Sequence, residues 1–182
     1  MTARLDTLEA IERACWRELA AAVHDRAHDW RVLALATVDE GRADARSVIL
    51  RDVDETARSL VFYADRRSPK IGQIERQPLA TMLGWSRTLS WQVRLRVTLQ
   101  AEDSGLEVSS RWARVKLSPS VGDYLAALPP GTPVAHHRPE RGSREHFAVV
   151  TATVAEIDWL ELHPEGHRRA RFGPEGSAWL TP

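Results

Sequence analysis

Cysteine, lysine and long apolar runs are what this sequence has least of, and each shortage closes off a class of protein. Cys15 is the only cysteine among 182 residues, so the chain can form no disulfide within itself and assemble no Cys-based zinc site. That usage belongs to a reducing compartment, and the expected location is cytoplasmic. No stretch approaches the ~18 consecutive apolar residues of a membrane span. The N-terminal segment interrupts its apolar residues with charges every few positions, so no membrane partner is expected. Charge of one sign is not in excess either. The 25 basic and 25 acidic side chains cancel, which excludes the broad basic surface of a dedicated nucleic-acid binder. Absent too are the Gly-x-Gly-x-x-Gly, Walker and Gly-x-Ser-x-Gly motifs, and with them the dinucleotide-fold dehydrogenase, the P-loop NTPase and the serine hydrolase. Lysine is so scarce that 23 of the 25 basic residues are Arg, leaving only Lys70 and Lys116. A genome-wide preference for Arg codons accounts for that bias in bulk, so only the placement of an individual cation is informative.

The rest is ordinary globular composition, 43% hydrophobic and 27% charged, and its length suits one domain over 1–182. Leu8, Ile11, Cys15, Leu19 and Val23 recur at helical spacing, with Asp6 as N-cap, which predicts a helix over 6–28. Then the period changes. Runs at 30–38, 45–53 and 59–64 read as strands, the first two joined by an Asp39-Glu40-Gly41 turn. Ser68-Pro69-Lys70 opens a short helix that Pro78 closes. Strands at 79–85 and 90–101 follow, the latter alternating Val93, Leu95, Val97 and Leu99 with Gln92, Arg94, Arg96 and Thr98. A Ser104–Glu107 capping box and Ser118-Pro119 predict a helical insertion over 104–128. Residues 129–145 read as a loop, and strands return at 147–162, 168–172 and 177–180. Strands follow strands instead of alternating with helices, so the expected fold is mainly β: an antiparallel barrel, core 30–102 and 146–182, with helical decoration.

The stretch from Arg46 to Lys70 carries the chemistry. Arg46, Val48 and Leu50 share one face at period two, opposite Ser47, Ile49 and Arg51, and an Arg among apolar residues calls for an anionic partner. Ser68, at a helix N-terminus with Lys70 and Arg66-Arg67 nearby, offers positive charge and backbone donors suited to a phosphate, on which Arg46 can close bidentately. The same residues also read as strand-edge charges and a plain helix cap, and spacing alone does not choose. His24 and His28, one helical turn apart, have no third ligand in view, so no metal site is expected. His136-His137 read as solvated loop residues, and the seven Trp as core or interface anchors.

Taken in order, Arg46-Ser47-Val48-Ile49-Leu50-Arg51, Leu60-Val61-Phe62-Tyr63-Ala64-Asp65, Arg67-Ser68-Pro69-Lys70, Gln77-Pro78, Trp85 and Trp91-Gln92-Val93-Arg94-Leu95 resemble the pyridoxamine 5′-phosphate oxidase family. The C-terminal Trp159 and His167–Phe172 segment resembles that family's ending. The resemblance implies an FMN-binding split β-barrel that forms a homodimer with flavin sites at the subunit interface. It places Arg46 and Lys70 on the FMN phosphate with Ser68 beside them, and Val48, Ile49, Leu50 and Arg51 along the flavin. Tyr63, Ala64, Gln92, Trp159 and Arg171 complete the cofactor set, Arg171 facing the ring edge where charge accumulates on reduction. The substrate side is implied at Arg51, His167 and Arg169. Two positions and two segments depart from the family pattern. Ala64 replaces a hydroxyl residue and Pro69 an Arg. The 109–122 segment lacks the Tyr that holds a substrate phosphate, and His167-Arg168-Arg169 stands for Arg-Leu-His. The expected function is therefore an FMN-dependent oxidoreductase acting on a small molecule. The alternatives are a true pyridoxine/pyridoxamine 5′-phosphate oxidase, or a non-catalytic module binding flavin or haem.

Overall fold

The computed structural model describes residues 4–136 and 146–182. Helix α1 (Leu8–His24) starts at Thr7 and not at Asp6, the Thr7 hydroxyl accepting the Ala10 N–H at 3.2 Å. It buries Ile11, Cys15, Leu19 and Ala22. It also ends four residues before the expected 28, because the Asp25 carboxylate accepts the Ala27 N–H at 2.8 Å and turns the chain. His28 thus lies off the helix and starts a 3-10 turn (Asp29–Arg31) that drives Trp30 into the core. Its Nδ1 accepts the Trp30 N–H and its Nε2 faces Glu18 at 3.3 Å. His24 and His28 therefore do not form a helical pair.

Among the described residues, eight strands follow the expected pattern: β1 (Val32–Asp39), β2 (Arg42–Asp54), β3 (Ser59–Asp65), β4 (Leu79–Ser86), β5 (Trp91–Glu102), β6 (Phe147–Glu161), β7 (Arg168–Gly173) and β8 (Gly176–Leu180). Glu40 and Gly41, both at positive φ (48° and 81°), make the tight β1–β2 turn. All pairings are antiparallel, and because β3 pairs β6 while β1 pairs β4, the ring β1-β2-β3-β6-β5-β4 closes. Strand β6 belongs to two neighbourhoods. Along Phe147–Thr153 it pairs β3, and along Ile157–Glu161 it pairs β7, while β5 runs beside both parts. The changeover is a bulge: Arg96 faces Glu156 and Val97 faces Val154, so Ala155 is extra. That is how the sheet splits, one half closing the barrel and the other carrying the C-terminal arm.

Leu33, Leu35, Leu50, Phe62, Leu95, Val150, Ile157 and Trp159 fill the barrel and α1 packs against them. A second cluster, Val61, Val108, Trp112, Val115, Phe147 and Val149, lies under helix α3 (Leu106–Lys116). The expected capping box does not form. Gly105, at φ 96°, takes the N-cap position, and Glu107 pairs with Arg111 instead at 2.6 Å. Nor does a helix reach 128; a 3-10 turn (Pro119–Tyr124) follows Ser118. Five of the seven Trp are buried, whereas Trp85 and Trp179 are about half exposed, at 45% and 46%. His136 lies in a stretch without regular structure, and His137 lies outside the described residues.

Candidate functional site

Strand β2 turns Asp44, Arg46, Val48 and Leu50 inward. The last two are buried in the barrel, and the first two emerge at its end beneath helix α2 (Pro69–Arg76). Arg46 Nη1 donates to Thr37 Oγ1 (2.5 Å), and Nη2 to Asp44 Oδ2 (2.5 Å) and Gln73 Oε1 (2.8 Å). Gln73, buried on α2, closes the ring by donating Nε2 to Asp44 at 2.9 Å. Lys70 Nζ donates to Ser68 Oγ at 2.8 Å. Asp44, Arg46, Ser68, Pro69 and Lys70, with Pro130 and Gly131, line one pocket of about 270 Å³. Burial first, then the neighbouring Arg46 charge, holds the Lys70 ammonium below its ordinary pKa. A hydrogen bond from Gln73, followed by Arg46, holds the Asp44 carboxyl below the usual range. The helix end contributes less than its sequence implies. Pro69 has no N–H, and the Ile71 N–H is spent on the Ser68 carbonyl at 2.9 Å. The positive character of the pocket therefore lies in the two cationic side chains.

Beside the pocket, β2 has an open edge. Among the described residues, Arg42–Ile49 pair with β1 only, since β3 joins from Leu50 onward. Val48, Leu50 and Ala64 are buried, so Ile49 and the backbone present that edge. The register then skips Arg51, which sits in a bulge between Leu50 and Asp52. The bulge aims its guanidinium at the rings of Tyr63 (5.7 Å) and Tyr124 (5.8 Å), and Nη2 donates to the Tyr124 hydroxyl at 2.7 Å. Arg51 Nε is buried with no hydrogen-bond partner among the described residues. Arg111 stands behind this group. Burial would lower its pKa, but hydrogen bonds to Tyr63, Glu107 and Asp52 raise it. Tyr124 and Arg111 carry no pattern in the sequence that singles them out, because only the packing of α3 and the 3-10 turn brings them here.

The remaining candidates lie elsewhere. Gln92 faces Trp85 on β4 and Leu160 on β6, across the ring from β2. Trp159 is fully buried, edge-on to Trp91 at 5.3 Å with Arg168 over its face at 5.6 Å. Arg171 is half-buried, 3.9 Å from Glu156. Arg169 grips Asp158 at 3.0 and 2.7 Å, and His167 Nδ1 accepts the His163 N–H at 3.1 Å. A larger cleft, about 1010 Å³, opens between α2 and the start of α3. Its cations are neutralised: Arg66 by Asp103, Arg67 by Asp65 and Arg76 by Asp39. No group of three metal-ligating side chains occurs among the described residues, and no helix among them is long and apolar enough to cross a membrane.

Residues 13–102 match the family model described as pyridoxamine 5′-phosphate oxidase, FMN-binding domain. A pyridoxine/pyridoxamine 5′-phosphate oxidase of Caulobacter vibrioides is 36% identical over 168 residues, covering 85% of this chain and 75% of the relative. One from Haemophilus influenzae is 29% identical over 173 residues, covering 87% and 81%. Among solved structures, a pyridoxamine 5′-phosphate oxidase-related, FMN-binding protein of Nostoc punctiforme superimposes with a TM-score of 0.72 at 22% identity, covering 99% of this chain and 100% of that one. PhzG of Burkholderia lata, solved with tetrahydrophenazine-1-carboxylic acid, gives 0.70 at 16% identity, covering 100% and 99%. With 85% of its length aligned at 36% identity and the same split barrel, this chain belongs to the pyridoxamine 5′-phosphate oxidase family of FMN-binding proteins.

Proposed function

We propose that this protein is an FMN-dependent oxidoreductase of a small substrate, with the cofactor phosphate on Arg46 and Lys70 beside Ser68. The observation that carries the reading is the convergence of those two cations on one pocket, where each raises the cost of the other's charge and an anion lowers it. The open β2 edge beside it offers backbone donors and acceptors to the polar rim of a flavin. Bound FMN supplies a ring that takes up and returns two electrons; the protein's part is to position it and set its charge environment.

The working unit is a homodimer. Val32, Ala34, Val38, Ala43, Ala45 and Ile49 form an exposed apolar face over β1 and β2, which Leu83 and Trp85 extend onto β4. A monomer rarely leaves so continuous an apolar patch to water. Gln92 lies across the barrel from Arg46, and Arg171 on the C-terminal arm, so a second copy is the simplest way to bring both sets to one flavin. Trp159, fully buried in the core, holds the barrel and is not free to meet it. The names of the curated relatives make pyridoxamine 5′-phosphate the first substrate to try. All three substrate-side residues are engaged within the chain, Arg169 by Asp158, His167 by a backbone N–H and Arg51 by Tyr124. Bound flavin is therefore expected to be reduced and reoxidised without oxidising pyridoxamine 5′-phosphate.

Titration with FMN and with riboflavin tests the cofactor site. Arg46→Ala should weaken FMN by ~1.5–3 kcal/mol, the range for a charged hydrogen bond, and leave riboflavin nearly unchanged; equal FMN affinity in variant and parent sinks the assignment. Release of pyridoxal 5′-phosphate and peroxide by the holoprotein would replace the substrate reading with vitamin B6 phosphate oxidation. A flavin that no donor reduces would make the protein a binding module.

A further inference from the structure

We propose that Asp44 is an internal competitor for the cofactor phosphate, a specificity-determining residue that holds down the affinity of this pocket for a dianion. The inference rests on the phosphate assignment above. Asp44 lines the same pocket as Arg46 and Lys70, and its carboxylate takes the Arg46 Nη2 at 2.5 Å. A guanidinium grips a phosphate through paired N–H groups on one side of its plane. On Arg46, Nη1 is bonded to Thr37 and Nη2 to both Asp44 and Gln73. A phosphate oxygen that reaches Nη2 does so in place of the Asp44 carboxylate or alongside it.

The Asp44 carboxylate is about half exposed, at 47%, but a buried partner fixes its place. Gln73 is buried, with its carbonyl accepting from Thr37 and Arg46 and its amide N–H aimed at Asp44 Oδ2. The amide is thus oriented to hold a carboxylate against Arg46. Charge counting points the same way. Arg46 and Lys70 bring two positive charges and Asp44 returns one, leaving a net single positive charge for a phosphomonoester of about −1.5 to −2. Arg66 and Arg67 do not make up the deficit, since Asp103 and Asp65 engage them at 2.7 and 2.6 Å. With Pro69 adding no donor, the pocket grips a phosphate less firmly than its cation count implies, and Asp44 sets by how much. The consequence for function is a flavin that exchanges with the free pool.

Asp44→Asn keeps an oxygen for the Gln73 amide and removes the charge. Flavin fluorescence titrations of the parent and this variant, with FMN and riboflavin at low and high salt, are the test. The variant is expected to bind FMN roughly tenfold tighter, as for one partly screened like-charge contact removed, with riboflavin unchanged and the gain shrinking as salt rises. Asp44→Ser, which lacks both charge and carboxamide, should show the same gain and so guards against a folding artefact of either variant. Unchanged or weaker FMN binding in folded variants, or an equal gain for riboflavin, overturns the proposal. If the parent itself binds FMN no better than riboflavin, the phosphate assignment falls instead.

Discussion

Gly84 shows how one residue can be fixed by packing with no part in the chemistry. A Cβ at this position on β4 would sit 2.8 Å from Leu33 Cδ2, 3.0 Å from Trp30 Cδ1 and 3.3 Å from Val93 Cγ2. Leu33, Trp30 and Val93 are completely buried, so none can swing into solvent. Gly84→Ala is expected to cost about 1–3 kcal/mol by overpacking, read as a lower urea midpoint with an unchanged slope; an unchanged midpoint would show that the core yields freely there. Nothing in the sequence marks this glycine apart from others in strands. Arg46 was legible because alternation along one strand gives the face of each residue, and an Arg on the face of Val48 and Leu50 stands out. Arg51 was legible as a basic residue but not in its orientation. A bulge is a property of the register between β2 and β3, and only the paired strands reveal that it turns toward Tyr63 and Tyr124.

At the scale of elements, the C-terminal arm is held by two carboxylates on β6. Asp158 takes hydrogen bonds from Arg94 and Arg169, and Glu161 from Arg4, Arg168 and the Trp91 indole. Burial alone would raise both pKa values, but the arginine hydrogen bonds prevail and lower them. A carboxyl depressed in the folded state contributes stability above its unfolded pKa, near 4, and loses it as pH falls through that range toward the folded value. Urea melts followed by Trp fluorescence should therefore show stability falling on acidification below about pH 5. Asp158→Asn should cost roughly 1–2 kcal/mol at pH 7, the low end for a charged hydrogen bond because its arginines stay partly hydrated, and should flatten the acid slope. A variant with the parent's full acid slope would assign the loss to other groups. The strands themselves were readable from period-two patterning, since one face of each meets the core. The helix ends were not. Asp25 competes locally for the backbone at the end of α1, and Gly105 with its positive φ displaces the Ser104 cap of α3; both outcomes depend on a conformation that periodicity does not encode.

For the molecule as a whole, the proposed dimer would tie flavin binding to self-association, because the candidate cofactor residues divide between two sides of the molecule. If Gln92 and Arg171 of one copy meet the Arg46 pocket of another, FMN binds the dimer better than the single chain. Linkage then requires that FMN strengthen the dimer by the same factor that dimerisation strengthens FMN. Sedimentation velocity across a dilution series should show a species of twice the chain mass whose midpoint moves to lower concentration when FMN is added. Val32→Lys sets a charge on the exposed apolar face, opposite Ile49 on β2 and clear of the Arg46 pocket, where burying an unpaired ammonium is costly. That variant should sediment as a monomer at concentrations where the parent is dimeric, and its FMN affinity should fall with it although every phosphate contact is intact. A parent that sediments as a monomer while binding FMN tightly would break the link, and Gln92 and Arg171 would then be structural residues and not part of the flavin site.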